Sequence, residues 1–318
     1  MKMARTVLGD RPAASLGRVD YHEHLFQVSP LLPGDDLTDE GASAGEAALL
    51  RASGFATMVD ATPTSLGRNP AALARTSARS DLSVIATTGA HREQHYQTSH
   101  WLLDQSVAAL TERFVADVQV GMPALDQPAR AGLARAPDGT PVRAGMLKAG
   151  IGYWSITPFE MRVLHAVADA HTRTAAAVMI HLEHGSAAFE VLDVLAAAGV
   201  DASAVVLAHV DRNPDPGLHS ELAARGAYLG YDGMGRHARW PDSVVLACLL
   251  DTASRGGAQR IVLGGDVARR TRYVAYGGMP GLAYLGDRFV PRLLASGGDA
   301  LARAVLEHNP QRLCGRFS

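Results

Sequence analysis

Eight short apolar runs recur along the chain, each separated from the next by a segment long enough to form a helix. They are Gly17–Tyr21, Thr57–Ala61, Ser83–Thr88, Ala144–Ala149, Ala176–His181, Val205–His209, Ala227–Tyr231 and Arg260–Gly265. Amphipathic stretches such as Pro158–Thr172, Ser186–Ala198 and Asp242–Arg255 lie between them. A near-continuous apolar run is what a strand covered on both faces looks like. Eight such strands alternating with helices in 318 residues predict a single α/β domain over residues 1–318, a (β/α)8 TIM barrel. A doubly wound open sheet is the competing architecture, but no G-x-G-x-x-G opens a helix after the first run. The glycine-rich stretch GGMPGLAYLG contains a proline and follows no run, so it reads as a loop. Gly121–Arg143 is irregular, with Pro123, Pro128, Pro137 and Pro141. Its Asp138-Gly139 turn signal directly precedes the fourth run and predicts a loop or hairpin inside the barrel rather than a linker.

Composition narrows the function. Lys and Arg number 30 against 32 Asp and Glu, a formal net charge of −2, which gives no reason to expect nucleic acid or an anionic membrane as a partner. No charged-then-apolar leader and no run long enough for a bilayer is visible. The two cysteines, Cys248 and Cys314, lack metal-type spacing, and Cys248 in LACLL reads as a small core residue. A reducing cytoplasm is the expected compartment.

Unusual polar residues then fall at equivalent places. His22 and His24 end the first run, Lys148 lies near the end of the fourth, His181 and His209 end the fifth and sixth, and Asp266 follows the eighth. The C-terminal rim of a barrel is where such enzymes carry their chemistry. In a strand, residues i and i+2 share a face, so His22 and His24 can reach one point. An ammonium in an apolar strand is costly unless it loses its charge or gains a partner. Lys148 therefore reads as ion-paired, as a Schiff-base lysine, or as a lysine carboxylated by CO2 into an anion that bridges two cations. Four histidines and an aspartate nearby favour the carbamate, because an aldolase needs none of them. Met146, Met161 and Met179 read as core.

These residues, with AHVDRNPD, YDGMGR, LGGDVARR, GGMPGLAYL and the terminal HNPQRL, resemble the phosphotriesterase family of the amidohydrolase superfamily. The resemblance covers most of the chain and is closest to the branch of lactonases that includes phosphorylated-sugar lactonases. It implies a binuclear site: His22, His24 and Asp266 on the more buried metal, His181 and His209 on the more exposed one, and carboxylated Lys148 and a hydroxide between them. It implies Asp266 as the proton carrier. Two divalent ions are implied, zinc first, with manganese or cobalt also compatible with nitrogen and oxygen ligands. The same resemblance implies a homodimer acting on a small molecule.

Around the site, Arg270 and Tyr273 match positions that contact a substrate phosphate in that branch. Tyr96 and Arg236 are further candidates for the pocket. One departure stands out: the family often carries a lysine where this chain has Ala238. Arg236 or Arg239 would have to replace it, or the substrate has no phosphate. His184 reads as a surface or loop residue. Asp211-Arg212-Asn213 reads as either an orienter of His209 or the turn that Pro214 demands. The leading expectation is a metal-dependent lactonase. The alternatives are carboxyl ester, amide or phosphotriester hydrolysis on the same metals, and a metal-containing biosynthetic or binding protein without turnover.

Overall fold

Parallel strands must be covered on both faces, and the chain meets that demand by wrapping its sheet into a near-closed cylinder with helices outside. The computed structural model describes residues 1–318. An N-terminal hairpin, β1 (Met3–Thr6) and β2 (Gly9–Pro12), precedes eight parallel strands. These are β3 (Val19–Glu23), β4 (Thr57–Asp60), β5 (Ser83–Gly89), β6 (Met146–Ile151), β7 (Ala177–Leu182), β8 (Val205–Ala208), β9 (Tyr228–Tyr231) and β10 (Ile261–Leu263). They pair in sequential order, which excludes the doubly wound sheet, whose strand order reverses at a switch point. The outermost strands meet where the Asp266 N–H donates to the His22 carbonyl at 2.9 Å.

Every predicted run contains a strand, but the first and fourth begin two residues late. Ahead of the fourth, Gly145 already bonds to the Ala86 carbonyl at 2.9 Å, and it packs so close to the hairpin that a Cβ would sit 2.2 Å from the Arg5 carbonyl oxygen, so only glycine fits there. The hairpin itself carried no signal that the sequence reading used.

Helices fill the intervals, and their ends are chemically marked. α1 (Glu40–Ala52) starts at Asp39, α2 (Pro70–Ser80) at Asn69 and α3 (Val107–Gln119) at Ser106, each cap accepting a backbone N–H three residues on. α4 (Pro158–Thr174) has a full capping box between Thr157 and Glu160 with proline at its first turn. α5 (Ala188–Ala197), α6 (Pro216–Ala224) and α7 (Asp242–Ser254) follow, then α8 (Val290–Arg303) and α9 (Asn309–Cys314). Met146 and Met179 lie in the buried cluster inside the barrel.

Gly121–Arg143 is a strapped loop. Backbone bonds join Met122 to Val142 and Ala134, and a turn at Asp138 brings the Ala136 N–H to the Thr140 carbonyl. A buried ionic network anchors it. Arg68 lies 2.9 Å from Asp117 and 2.7 Å from Asp126 of the loop, and Arg130 of the loop reaches the other Asp117 oxygen. Asp117 also accepts from the Thr88 hydroxyl at 2.6 Å. Removing one partner of a buried pair leaves the other charge uncompensated. Arg68→Met should therefore cost about 3 kcal/mol in urea unfolding, and a loss under about 1 kcal/mol would show that the network contributes little.

Candidate metal centre and its cavity

Lys148 and His181 arrive at the barrel mouth simply by strand alternation. Met146, Lys148 and Gly150 share the inward face of β6, and Ala177, Met179 and His181 that of β7. β3 needs a correction to its period. Val19 and Tyr21 pack inward, so a regular strand would send His22 and His24 outward. Instead Asp20 pairs with Met58 while Glu23 pairs with Asp60, a one-residue bulge that turns both imidazoles into the cavity. β8 uses a different device. Val206 and Ala208 face inward, and His209 follows them inward only because it takes a left-handed conformation at φ 66°. Asp266, past the end of β10, is left-handed too, at φ 43°.

All six predicted residues line one cavity of about 200 Å³. His22 Nε2 lies 3.3 Å from Lys148 Nζ and 3.8 Å from Asp266 Oδ1, and His24 Nε2 lies 3.6 Å from the same oxygen. His209 Nε2 and His181 Nδ1 face each other at 2.8 Å. Burial holds His22, His24 and His209 neutral, each pulled down to about 4, and holds His181 well below its ordinary value too. Their lone pairs are therefore free near neutral pH. Burial opposes ionisation of Asp266, but Arg236 and the imidazoles outweigh it and keep its pKa well below the ordinary carboxylate value. Burial also brings the Lys148 amine down to about 8.

The second nitrogen of each histidine tests whether the set fits metal. His24 Nδ1 meets the Thr62 hydroxyl at 2.7 Å, and His181 Nε2 meets Glu183 at 3.1 Å. His209 Nδ1 lies 2.6 Å from Asp232 Oδ1, and His22 Nδ1 lies 3.3 Å from Asp232 Oδ2. Three rings thus have one nitrogen hydrogen-bonded to an oxygen, His22 Nδ1 lies beside the Asp232 carboxylate without a hydrogen bond, and each ring turns its other nitrogen to the cavity. That is the arrangement by which outer partners fix the tautomer of a ligating imidazole, so the residues fit a divalent cation. His22, His24 and Asp266 form one group of donors close enough for a single ion.

Asp232 and Glu183 were not anticipated from the sequence. Asp232 follows β9 as Asp266 follows β10, a parallel that would have exposed it. Asp211 does not touch His209 but accepts the N–H groups of Asp232 and Gly233, so it shapes the turn that carries Asp232. His91 and His95 also line the cavity, with rings 3.8 Å apart and His91 4.5 Å from His181. They lie in TTGAHREQHY, where only Tyr96 had been singled out.

The residues proposed for substrate contact are redistributed. Tyr96 is buried beside Phe159, its hydroxyl spent on the His91 N–H and the Thr64 carbonyl, and it does not line the metal cavity. Tyr273 is fully buried and donates to the His24 carbonyl. Arg270 is exposed, because its N–H and that of Thr271 are bound by Asp35, which fixes the turn with Arg270 pointing away. Arg236 does line the cavity, donating to Asp266 together with Arg212 at 3.0 Å. Arg269 lines it also. His184 is partly exposed, 3.3 Å from Glu183.

The shared role of Asp232 is directly testable. Asp232→Asn removes the anion behind His209 and His22, so affinity for divalent metal should fall by about ten- to a hundredfold in chelator competition, with the far-UV spectrum unchanged. Unaltered affinity would mean that the ring orientations are set elsewhere.

Residues 2–314 match the phosphotriesterase family model. A phospho-furanose lactonase of Mycoplasmopsis synoviae is 28% identical, covering 98% of this chain and 91% of its own. An N-acetyltaurine hydrolase of Danio rerio is 29% identical, covering 97% and 96%. Among solved structures, a lactonase of Listeria monocytogenes superposes with TM-score 0.87 at 29% identity, covering 99% of both chains. The phosphotriesterase homology protein of Escherichia coli, complexed with phosphate in its active site, gives TM-score 0.83 at 26% identity, covering 96% and 99%. With the barrel, the donor set and this match over nearly its full length, the chain belongs to the phosphotriesterase family and is a metal-dependent hydrolase.

Proposed function

We propose that the protein is a lactonase with a binuclear metal centre, acting on a small sugar lactone. One observation carries this reading: four neutral imidazoles, each with an oxygen beside its second nitrogen, converge with a carboxylate and a buried amine on one cavity. His22, His24 and Asp266 would hold one cation, His181 and His209 the other, and carboxylated Lys148 would join them. Bound there, divalent cations would supply Lewis acidity, lowering the pKa of water and polarising the lactone carbonyl. Zinc is the first expectation, with manganese or cobalt as alternatives.

The chain's own residues supply the rest. With the amine near 8, roughly one Lys148 in ten is neutral at pH 7 and can add to CO2. The Nζ lone pair forms the N–C bond, a proton leaves to solvent, and a costly buried cation becomes an anion with two ligand oxygens. Asp266 is held ionised by Arg212 and Arg236, so it can take the proton during attack and return it to the ring oxygen as the lactone opens. Lactonase relatives support the lactone as electrophile. The N-acetyltaurine hydrolase relative makes an amide the second reading. By family resemblance the protein is further proposed to work as a cytoplasmic homodimer.

Purified protein should contain about two divalent ions per chain by elemental analysis, and chelation should abolish hydrolysis of a sugar-lactone panel until metal is restored. Full activity without metal, or turnover of amides alone, would remove the lactonase reading. Lys148→Ala should lower the metal content, and short carboxylic acids should partly restore it by supplying the missing bridge. Normal content and rate in that variant would show that no carbamate is needed.

A further inference from the structure

A separate cavity of about 390 Å³ opens at the other end of the barrel. Tyr228, the first residue of β9, lines it together with Arg260, which leads into β10, and Lys2, which precedes β1. Arg312 of α9 and Arg316 just beyond that helix complete its basic wall. These positions belong to the N-terminal ends of the strands, whereas the metal centre lies at the C-terminal mouth and shares none of them.

Four cations stand on this wall and no acidic residue does, in a chain whose formal net charge is −2. None of the four forms an ion pair, whereas Arg18 on the same face has Glu307 at 3.7 Å. The guanidinium groups meet only neutral partners. Arg312 donates to the Gln259 carbonyl at 3.0 Å and to Asn309 Oδ1 at 2.5 Å. Arg316 donates to the Ser203 carbonyl, and its Nε is buried without an acceptor. Arg260 lies over the Tyr228 ring, 5.2 Å from its centre. The field of Asp201 reaches Arg316 and Arg260, but its carboxylate is turned to the Ser203 N–H at 2.8 Å. Tyr228 is a second, independent mark. Its side chain is 3% exposed and packs with the barrel interior, yet its hydroxyl bonds to nothing in the protein and faces the cavity. Buried phenols ordinarily find a partner.

Like charges gathered on one wall repel one another unless an anion joins them. Asp201 offsets at most one of the four, which leaves three, more than the charge of about two that a single phosphate carries. We propose that this cavity is a binding site for a diphosphate, held by Arg260, Arg312 and Arg316 and by the Tyr228 hydroxyl. Planar forks of N–H donors suit phosphate oxygens, and the phenol supplies one further donor. The site lies on the face away from the metals, so it stands or falls independently of the lactonase reading.

The test titrates inorganic diphosphate, orthophosphate and ADP calorimetrically into metal-loaded wild type, Arg260→Met, Arg316→Met and Tyr228→Phe. Arg75→Met, which removes an arginine paired with Glu40, controls for lost charge alone. Metals at the mouth can take the same probes, so proteins are compared at equal metal content, and the component that depends on the arginines is the cavity's own. That component should be at least about tenfold tighter for diphosphate than for orthophosphate. Arg260→Met and Arg316→Met should each weaken it by about tenfold or more, Tyr228→Phe by severalfold, and Arg75→Met should match wild type. Diphosphate should also raise the Tm of wild type more than that of either arginine variant. ADP bound with the same dependence on the arginines identifies an organic diphosphate, and ADP excluded while inorganic diphosphate binds identifies the free ion. Either result upholds the site. Affinity unchanged in the arginine variants, a loss no greater than in Arg75→Met, or orthophosphate bound as tightly as diphosphate overturns it. Should Arg316→Met fail to fold, Arg260→Met decides alone.

Discussion

A single carboxylate, Asp232, ties β3, β8 and β9 together at the barrel mouth. It accepts the Tyr21 hydroxyl, lies against His22 Nδ1, and takes both Nδ1 and the backbone N–H of His209. Burial opposes its charge, yet these partners hold it ionised far below the ordinary range. The contact with Tyr21 is possible only because Gly230, two residues earlier on β9, lacks a side chain: a Cβ there would lie 2.0 Å from the phenolic oxygen. Asp232 is fully buried among these donors, so two imidazoles from β3 and β8 share one anion that follows β9. The direction in which each ring presents its free nitrogen follows from that.

Asp266 divides the mouth into two electrostatic territories. Its Oδ1 faces His22 and His24, and its Oδ2 faces Arg212, Arg236 and His209. On one side lie neutral imidazoles, including His91 and His95, kept uncharged by burial. On the other lie guanidinium groups that cannot lose their charge.

The sequence disclosed the barrel because strands buried on both faces leave continuous apolar runs, and it disclosed the polar residues because they interrupt those runs. The inward placement of Lys148 and His181 was legible, both being in phase with their strands. His22, His24 and His209 were legible as residues but not as geometry, since the bulge in β3 and the left-handed turn at His209 leave no mark in residue spacing. Asp232 went unremarked in YDGMGR, a stretch that carried the family resemblance alone. The substrate side was least legible. Asp35, which turns Arg270 outward, is 235 residues away in the chain, and a single-residue change of phase decided whether Arg269 or Arg270 reached the cavity.

The bulge in β3 gives one strand two reading frames. Below it, Val19 and Tyr21 answer to the packing of the barrel interior, and above it His22 and His24 answer to the donors at the mouth. Neither half constrains which residues the other places inward. Except at Tyr21, whose hydroxyl ties the interior to Asp232, the interior can drift among apolar residues of similar volume without disturbing the chemistry, and the mouth can be rebuilt without repacking the interior. The irregularity acts as a seam along which the scaffold and the reaction it carries can diverge separately.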